Sequence, residues 1–571
     1  MVAPRDIQPP GKEPEKVKKD NNTTAPSLLA DTPDVTTSDG TEHNGLHRRL
    51  ENRQIQLIAI GGSIGTALFV SIGEGLSQGG PGSLLLAYAI YSFMLSLVNN
   101  GLAEMTTYMP ISGSFIRLAG KWVDEAFGFM AGWNFYFYEA LLVPFEITAL
   151  NLVLRFWRDD IPVAAVSVAC IVLYALLNIL AVKAYGESEF WLSSGKVILI
   201  LILFFFTFAT MVGCNPQHDA YGFRYWNDPG SFAKHHSTGT LGRFEGFLAA
   251  LWSASFTCVG PEYVSVVAAE AKYPRTYIKT AFKTVYYRFA VFFIGGALCA
   301  GIVVAYNDPA LLQAVTGEGS GSAAASPYVI AMRNLEIQAL PHLINALLVT
   351  TIFSAGNTYT YCATRTLYGL ALDNRAPKIF TRCTKQGIPI YCFAVTMLIA
   401  CLSFLQLSSN SSQVLSWLIN LTTAAGIIDY IVMCITYIWF YRGCMAQGFD
   451  RNTLPYKGYF QPYCAYIGLI WMVLIVTCYG YESFTPWDIT SFFTHYTMII
   501  VDVVLFGAWK VFKRSKVLKP QDLDLYWEAP TVTAYEEALE LREPVRTFWG
   551  EVFAVLKRGK DERVGGGDEV A

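Results

Sequence analysis

The segment Gln56-Leu57-Ile58-Ala59-Ile60-Gly61-Gly62-Ser63-Ile64-Gly65-Thr66 begins as an apolar helix and then places three glycines within five residues. In a helix interior, each glycine costs about 1 kcal/mol relative to alanine. Glycines are also common where transmembrane helices pack closely, so one interpretation is a packing groove. The other is that the helix unwinds at mid-membrane and exposes backbone N–H groups to an anionic group of a ligand.

A second interrupted segment follows much later in the chain, at Ser255-Phe256-Thr257-Cys258-Val259-Gly260-Pro261-Glu262. Proline removes a backbone N–H and clashes with the preceding turn, so the helix must bend or break here. A kink without a further role is one interpretation. Alternatively, the freed carbonyls accept hydrogen bonds from an ammonium group and Phe256 covers the site.

The two segments fall in the first and sixth of twelve apolar runs, each long enough to cross a bilayer as a helix. Of the 571 residues, 53% are hydrophobic and 15% are charged, whereas soluble domains carry roughly 25% charged residues. These features predict an all-α membrane protein. The predicted spans are 55–76, 83–108, 127–157, 162–181, 190–213, 245–268, 280–306, 340–371, 389–407, 413–441, 462–482 and 490–513. Breaks at corresponding positions of two five-helix halves are typical of an inverted-repeat transporter.

The distribution of Lys and Arg predicts the orientation, because cytoplasmic loops carry an excess of both. Most of these residues fall in loops on the same side as the N-terminus, which places both termini in the cytoplasm. Residues 1–45 are polar and almost without aromatics, so we expect a disordered tail. Residues 46–515 form the predicted twelve-helix domain, and residues 516–571 form a cytoplasmic C-terminal tail.

The sequence resembles the fungal amino acid permeases of the amino acid–polyamine–organocation superfamily over roughly residues 46 to 530. Five groups of residues carry this resemblance. They are the segment from Arg49 to Val70; Glu104-Met105 with Pro110, Ser112-Gly113 and Phe115; Tyr185-Gly186-Glu187 with Glu189-Phe190-Trp191 and Lys196-Val197; Glu270-Ala271-Lys272 with Pro274-Arg275; and Ser354-Ala355-Gly356-Asn357 with Arg365-Thr366-Leu367. The resemblance implies a leucine-transporter-type fold, with a five-plus-five inverted repeat and two further helices.

The same resemblance implies a role for ten residues. The substrate carboxylate would be held, mostly by backbone amides, at Ser63, Ile64, Gly65 and Thr66. The amino group would be met, or the site gated, by Phe256, Thr257 and Val259. The proton-coupling residues would be Lys196, Glu146 and Glu262. Lys196 has an alternative role, which is to fix span five to span one.

Other acidic residues lie within the predicted spans, where an ionisable side chain costs at least about 2.5 kcal/mol at the helix centre. Glu139 either selects a cation or pairs with another group, and the sequence leaves both open. Glu104 lies near the cytoplasmic end of its span, where we expect it to be half-solvated and structural. Each of these carboxylates, like Asp429, should face the bundle interior or a partner.

The expected function is therefore proton-coupled import of amino acids or related amines across the plasma membrane. Gly260-Pro261-Glu262-Tyr263 resembles a branch of the family associated with carnitine and polyamines, which is an alternative, as is a nutrient sensor that hardly transports. No nucleophile–base set or metal-ligand spacing is evident, so we expect no enzyme activity, metal site, cofactor or nucleic-acid partner. The adjacent His235 and His236 are interpreted as solvated loop residues.

The C-terminal tail has helical spacing of apolar residues from Val545 to Leu556, next to basic residues. This pattern predicts an amphipathic helix on the cytoplasmic face of the membrane. Docking of the same segment onto the inner loops of the protein is the alternative.

Overall fold

A computed structural model describes residues 48, 50–158, 160–180, 185–316, 326–384, 387–409, 411–484, 486–541, 545, 547–548 and 550–551, with backbone alone at 180, 185–190 and 316. The predicted disordered tail, residues 1–45, lies outside these ranges. So does most of the predicted C-terminal amphipathic helix.

Helices account for the regular structure of the described residues, and no strand occurs among them beyond two isolated bridges. The helices of the first part are α1 Asn52–Ser63, α2 Ile72–Tyr108, α3 Ser114–Trp122, α4 Glu125–Leu154, α5 Val163–Leu180, α6 Tyr185–Met211, α7 Gly239–Thr257, α8 Pro261–Val266 and α9 Pro274–Arg288. Those of the second part are α10 Gly295–Val303, α11 Pro309–Thr316, α12 Pro327–Asn334, α13 Leu340–Leu372, α14 Ile390–Ala400, α15 Ser411–Ala446, α16 Tyr463–Cys478, α17 Ile489–Lys513 and α18 Ala529–Glu540.

Eight helical segments in the described part of the chain are long and apolar enough to cross a membrane. They are Ile72–Tyr108, Glu125–Leu154, Trp191–Met211, Pro274–Val303, Ile390–Leu407, Ser411–Ala446, Tyr463–Ser483 and Ile489–Lys513. The remaining predicted spans correspond to the shorter α5, to the long α13, and to two places where the helix is interrupted. The chain is thus an all-α, multi-pass membrane protein.

Predicted span one is divided among three elements. Helix α1 is followed by a single helical turn, Thr66–Leu68, and then by α2. Helix α2 itself bends at Gly80, whose φ of 78° and ψ of 168° are non-helical, just before Pro81. Residues 72–79 therefore correspond to the end of predicted span one, and the part of α2 after Pro81 corresponds to predicted span two.

Close helix packing and exposed apolar faces are both consistent with a membrane setting. A Cβ at Gly79 would come within 2.6 Å of the Gly246 carbonyl oxygen, so α2 and α7 are in backbone contact. Large apolar side chains are instead exposed on the peripheral helices, for example Phe205 on α6 and Val504 on α17. Lipid tails are the natural neighbours of such exposed rows of apolar side chains.

Candidate substrate site

The first interrupted segment lies between α1 and the Thr66–Leu68 turn. Helix α1 ends at Ser63, and the Ile64 N–H still donates to the Ile60 carbonyl at 2.8 Å. Ile64 and Gly65 then have extended backbone, with φ values of −106° and −112°. The helix therefore unwinds at the glycine pattern, and the packing-groove interpretation does not account for this backbone.

The second interrupted segment lies between α7 and α8. Helix α7 ends at Thr257, and Cys258 is extended. Gly260 has a φ of 148° and a ψ of −33°, a conformation that side chains with a Cβ rarely adopt. Pro261 occupies the first position of α8, where its missing N–H costs nothing.

The two interruptions meet beside a small cavity. A Cβ at Gly260 would lie 3.2 Å from the Ser63 Cβ, so the two unwound segments are in contact. The cavity is lined by Ser63, Gly65, Thr66, Ala67, Tyr138, Leu142, Phe145, Glu146, Phe256, Thr257, Val259 and Tyr359. Most of the residues that the family resemblance implicates thus lie around one space.

Glu146 brings a carboxylate directly against the first interruption. This residue on α4 is buried, and its carboxylate accepts a hydrogen bond from the Thr66 hydroxyl. A Cβ at Gly65 would lie 3.2 Å from Glu146 Oε1 and 3.1 Å from the Tyr359 hydroxyl. Only glycine at position 65 leaves the backbone this accessible to the cavity.

Phe256 and Thr257 are held by neighbours on other helices. The ring of Phe256 meets Phe145 edge-to-face, with centroids 5.1 Å apart and planes at 81°. The Tyr88 hydroxyl donates to Thr257 Oγ1 at 2.9 Å, and that hydroxyl in turn donates to the Ser253 carbonyl at 2.8 Å. Phe256 therefore forms part of an aromatic wall, whereas the Thr257 hydroxyl is already engaged within the bundle.

Three of the predicted residues lie beside the cavity and do not line it. Lys196 on α6 donates to the Gly61 carbonyl at 2.7 Å, which ties α6 to the end of α1. Glu262 accepts hydrogen bonds from the Gly260 N–H at 3.1 Å and from the Tyr430 hydroxyl at 2.9 Å. Ile64 is buried, and its N–H is used by α1.

The sequence did not identify Tyr138, Leu142, Phe145 or Tyr359 as cavity residues. The first three precede Glu146 by eight, four and one positions, so they share one face of α4 with it. That spacing could have been recognised once Glu146 was singled out. Tyr359 donates to the Gly62 carbonyl at 3.3 Å.

Two further acidic residues differ in their surroundings. Glu104 is fully buried, so the expectation that it is half-solvated is wrong; Arg451 binds both of its oxygens at 2.8 Å, and the Gly458 N–H donates at 2.7 Å. This paired carboxylate fixes the loop after α15 to α2. Glu139 is also buried, and its carboxylate oxygens have no hydrogen-bond partner among the described residues.

Comparison with known proteins shows the family of this chain. Residues 54–521 match the family described as "Amino acid permease". The general amino acid permease of Saccharomyces cerevisiae is 46% identical over 499 residues, covering 86% of this chain and 83% of the relative. The proline-specific permease of Emericella nidulans is 38% identical over 490 residues, covering 85% of this chain and 89% of the relative.

A solved structure shares the fold at much lower identity. The manganese transporter of Eremococcus coleocola, crystallised with an aromatic bis-isothiourea substituted compound, superposes with a TM-score of 0.51 at 14% identity. The match covers 82% of this chain and 98% of that one. Because the family match extends over residues 54–521 and the two relatives match over more than four fifths of their length, this chain belongs to the amino acid permease family.

Proposed function

We propose that this permease is a proton-coupled secondary transporter that imports amino acids or related amines across the plasma membrane. It has twelve transmembrane helices in a five-plus-five inverted repeat, with spans one and six broken and both termini in the cytoplasm. The observation that carries the proposal is the cavity where the two interrupted helices meet beside Glu146. Interrupted helices of this kind present backbone groups to a substrate at the bilayer midplane.

In this proposal, the α-carboxylate of the substrate binds at the segment from Ser63 to Thr66, through the backbone N–H groups of Gly65 and Thr66. The Thr66–Leu68 turn begins at this point, and N–H groups at the start of a helical turn point outward. The α-amino group lies toward the end of α7, where backbone carbonyls are freed by the break at Cys258 and Gly260. Phe256, Thr257 and Val259 surround this end, where they either meet the α-amino group or gate the site.

Glu146 provides a reason for coupling to protons. Its carboxylate occupies the edge of the cavity next to Gly65 and Thr66, where the substrate carboxylate is proposed to bind. Two carboxylates in a water-poor site repel strongly, so both cannot be ionised there together. Substrate therefore binds when Glu146 carries a proton, and release of both to the cytoplasm completes a coupled cycle.

Lys196 and Glu262 act beside this centre. The Lys196 ammonium holds the Gly61 carbonyl, so its charge is linked to the position of α1. Glu262 holds the Gly260 N–H and thus the backbone of the second interruption. In the proposed cycle, a change of charge at either residue loosens one interrupted helix.

The named relatives are a general and a proline-specific amino acid permease, and an α-carboxylate and an α-nitrogen are common to all amino acids. A carnitine- or polyamine-type substrate is a second candidate. The cavity that Glu146 lines is also lined by Tyr138, Phe145, Phe256 and Tyr359, and aromatic rings beside a carboxylate suit a quaternary or primary ammonium.

One uptake experiment separates these possibilities. Cells that lack their own permeases express the full chain, and a labelled amino acid is challenged with each other amino acid, carnitine and spermidine. We expect competition by amino acids, uptake that rises as external pH falls, and its collapse with a protonophore. Uptake that follows external Na⁺ at constant pH would contradict proton coupling. Binding without uptake would identify a nutrient sensor instead.

A further inference from the structure

Two histidines and a glutamate that are far apart in sequence meet at one end of the helix bundle. His235 and His236 lie in the loop before α7, and Glu482 lies in the short turn Tyr481–Ser483 after α16. Their ligand atoms all lie within 4.8 Å of one another. The charge bias of the sequence predicts that this end of the bundle is outside the cell.

The spacing of these atoms suits a metal better than direct hydrogen bonds. His235 Nε2 is 3.4 Å from Glu482 Oε1, and His236 Nε2 is 3.5 Å from Glu482 Oε2. Hydrogen bonds from N–H to oxygen are ordinarily about 2.7–3.2 Å long. With Zn–N and Zn–O bonds of about 2.0–2.2 Å, two ligands of a tetrahedral zinc ion are about 3.3 Å apart. The observed separations are close to this tetrahedral edge.

The loop and the carboxylate of this cluster are each held by a hydrogen bond. The backbone N–H of His235 donates to the Gly242 carbonyl at 3.0 Å, which fixes the loop against the start of α7. The Tyr481 hydroxyl donates to Glu482 Oε1 at 3.0 Å and orients the carboxylate. A hydrogen bond of this second kind, to a ligating group, is typical of metal sites in proteins. Side chains of His235, His236 and Glu482 retain 17%, 64% and 39% exposure, so an ion can reach them from solvent.

The same loop is attached to the bend between spans one and two. The Ala233 N–H donates to the Gly79 carbonyl at 2.9 Å, and the Gly82 N–H donates to the Ser231 carbonyl at 2.7 Å. A metal ion bound by both this loop and Glu482 would therefore link the outer parts of spans one and six to the segment between α16 and α17.

We propose that His235, His236 and Glu482 form a binding site for a divalent transition metal of the Zn²⁺ type. The bound ion restrains movement between the loop before α7 and the turn after α16, and it thereby inhibits uptake. Two imidazoles and one carboxylate form a common zinc ligand set, and a water molecule completes the coordination. A restraint at this position opposes any movement of the start of α7 relative to the connection between α16 and α17. The ion is an inhibitor and has no part in coupling.

The test measures Zn²⁺ binding and inhibition on the full-length protein. Purified protein in nanodiscs is titrated with ZnCl₂ at a fixed pH of about 7.5, because the affinity of a protein site for zinc depends on pH. We expect about one tight ion per chain, with affinity at least tenfold weaker in each of His235→Asn, His236→Asn and Glu482→Gln. His218→Asn changes an exposed histidine of the preceding segment and should bind Zn²⁺ as wild type does.

Uptake gives the second readout. Externally added Zn²⁺ should inhibit wild-type uptake over the concentration range in which it binds, and the Glu482→Gln variant should need at least tenfold more. Equal affinity in the three variants and wild type, or no saturable binding, would overturn the metal site. Binding that leaves uptake unchanged would overturn the inhibitory restraint. Because binding is measured without transport, failure of the proposed transport function is distinguishable from failure of this site.

Discussion

The Thr66 hydroxyl donates a hydrogen bond to the buried carboxylate of Glu146. The two residues are 80 positions apart, and their contact joins the unwound segment of span one to α4. A substrate carboxylate that binds the backbone of Gly65 and Thr66 must approach this same group. The contact is thus the place where substrate binding and protonation would be linked.

Glu146→Gln tests this link directly. Glutamine keeps the size of the side chain and accepts the Thr66 hydrogen bond, but it cannot gain or lose a proton. We expect uptake that varies less than about twofold between pH 5 and 8, whereas wild-type uptake should rise severalfold as the external pH falls. Glu139→Gln, on the same helix but away from the cavity wall, is the comparison. A wild-type pH profile in Glu146→Gln would remove Glu146 from the coupling mechanism.

Gly65→Leu should abolish uptake while the protein still reaches the cell surface. A Cβ at this position already lies 3.1 Å from the Tyr359 hydroxyl and 3.2 Å from Glu146 Oε1, so a leucine side chain would fill the proposed carboxylate site. Gly507→Leu is the matched control, because a Cβ at Gly507 on α17 meets nothing within 4 Å. Surface labelling and uptake are measured on the same cells. Normal uptake by Gly65→Leu would mean that the substrate binds elsewhere.

Much of this site could be predicted from residue types that conflict with a continuous helix. Gly61, Gly62, Gly65 and the Gly260-Pro261 pair each oppose helix formation, and the backbone leaves the helix beside both groups. These are local properties, so the sequence is enough to locate the breaks.

The partners of the interrupted segments could not be predicted in the same way. Tyr359 reaches Gly62 from 297 residues away, and Glu482 reaches His235 only because α16 ends on the side of the bundle where α7 begins. From the sequence alone, the two histidines are therefore interpreted as ordinary loop residues. Contacts between distant helices depend on helix rotation and tilt, which packing determines.

Lys196→Met separates a coupling role from a positional one. The variant removes the donor that holds the Gly61 carbonyl at 2.7 Å, so α1 should be less well fixed and uptake should fall at least tenfold. Lys196→Arg restores a cation and a donor, but arginine does not release its proton. If Arg restores uptake with the pH dependence of wild type, Lys196 positions α1 and does not carry the coupling proton. A pH-independent residual uptake in both variants would support the coupling role.

Phe256→Leu should weaken substrate affinity more than maximal rate. The variant loses the edge-to-face contact with Phe145, and aromatic pairs of this geometry contribute about 0.5–1.5 kcal/mol beyond their buried area. We expect the apparent KM for uptake to rise about three- to tenfold. Phe208→Leu, which changes a half-exposed ring on α6, should leave KM unchanged. A fall in rate at unchanged KM would place Phe256 in the gate and not against the substrate.

The last prediction concerns the C-terminal segment and the start of α1. The Glu551 carboxylate is buried and accepts hydrogen bonds from the Asn52 N–H at 3.2 Å and the Arg53 N–H at 2.8 Å. A carboxylate at a helix N-terminus satisfies free N–H groups and interacts favourably with the helix dipole, typically by about 0.5–2 kcal/mol in total. Glu551→Gln removes the charge, so the first-turn amides of α1 should exchange with solvent about two- to thirtyfold faster.

Hydrogen–deuterium exchange of the full-length protein in nanodiscs measures this effect on peptides that contain residues 52–55. Glu540→Gln, at the exposed end of α18, is the control and should leave their exchange unchanged. The Arg275 backbone N–H donates to the Glu536 carboxylate at 2.8 Å, so α18 stays attached to the start of α9 in both variants. Faster exchange in Glu551→Gln alone would support docking of this tail segment onto α1. Unchanged exchange would favour the alternative, in which the segment lies on the membrane surface and contributes nothing to the stability of α1.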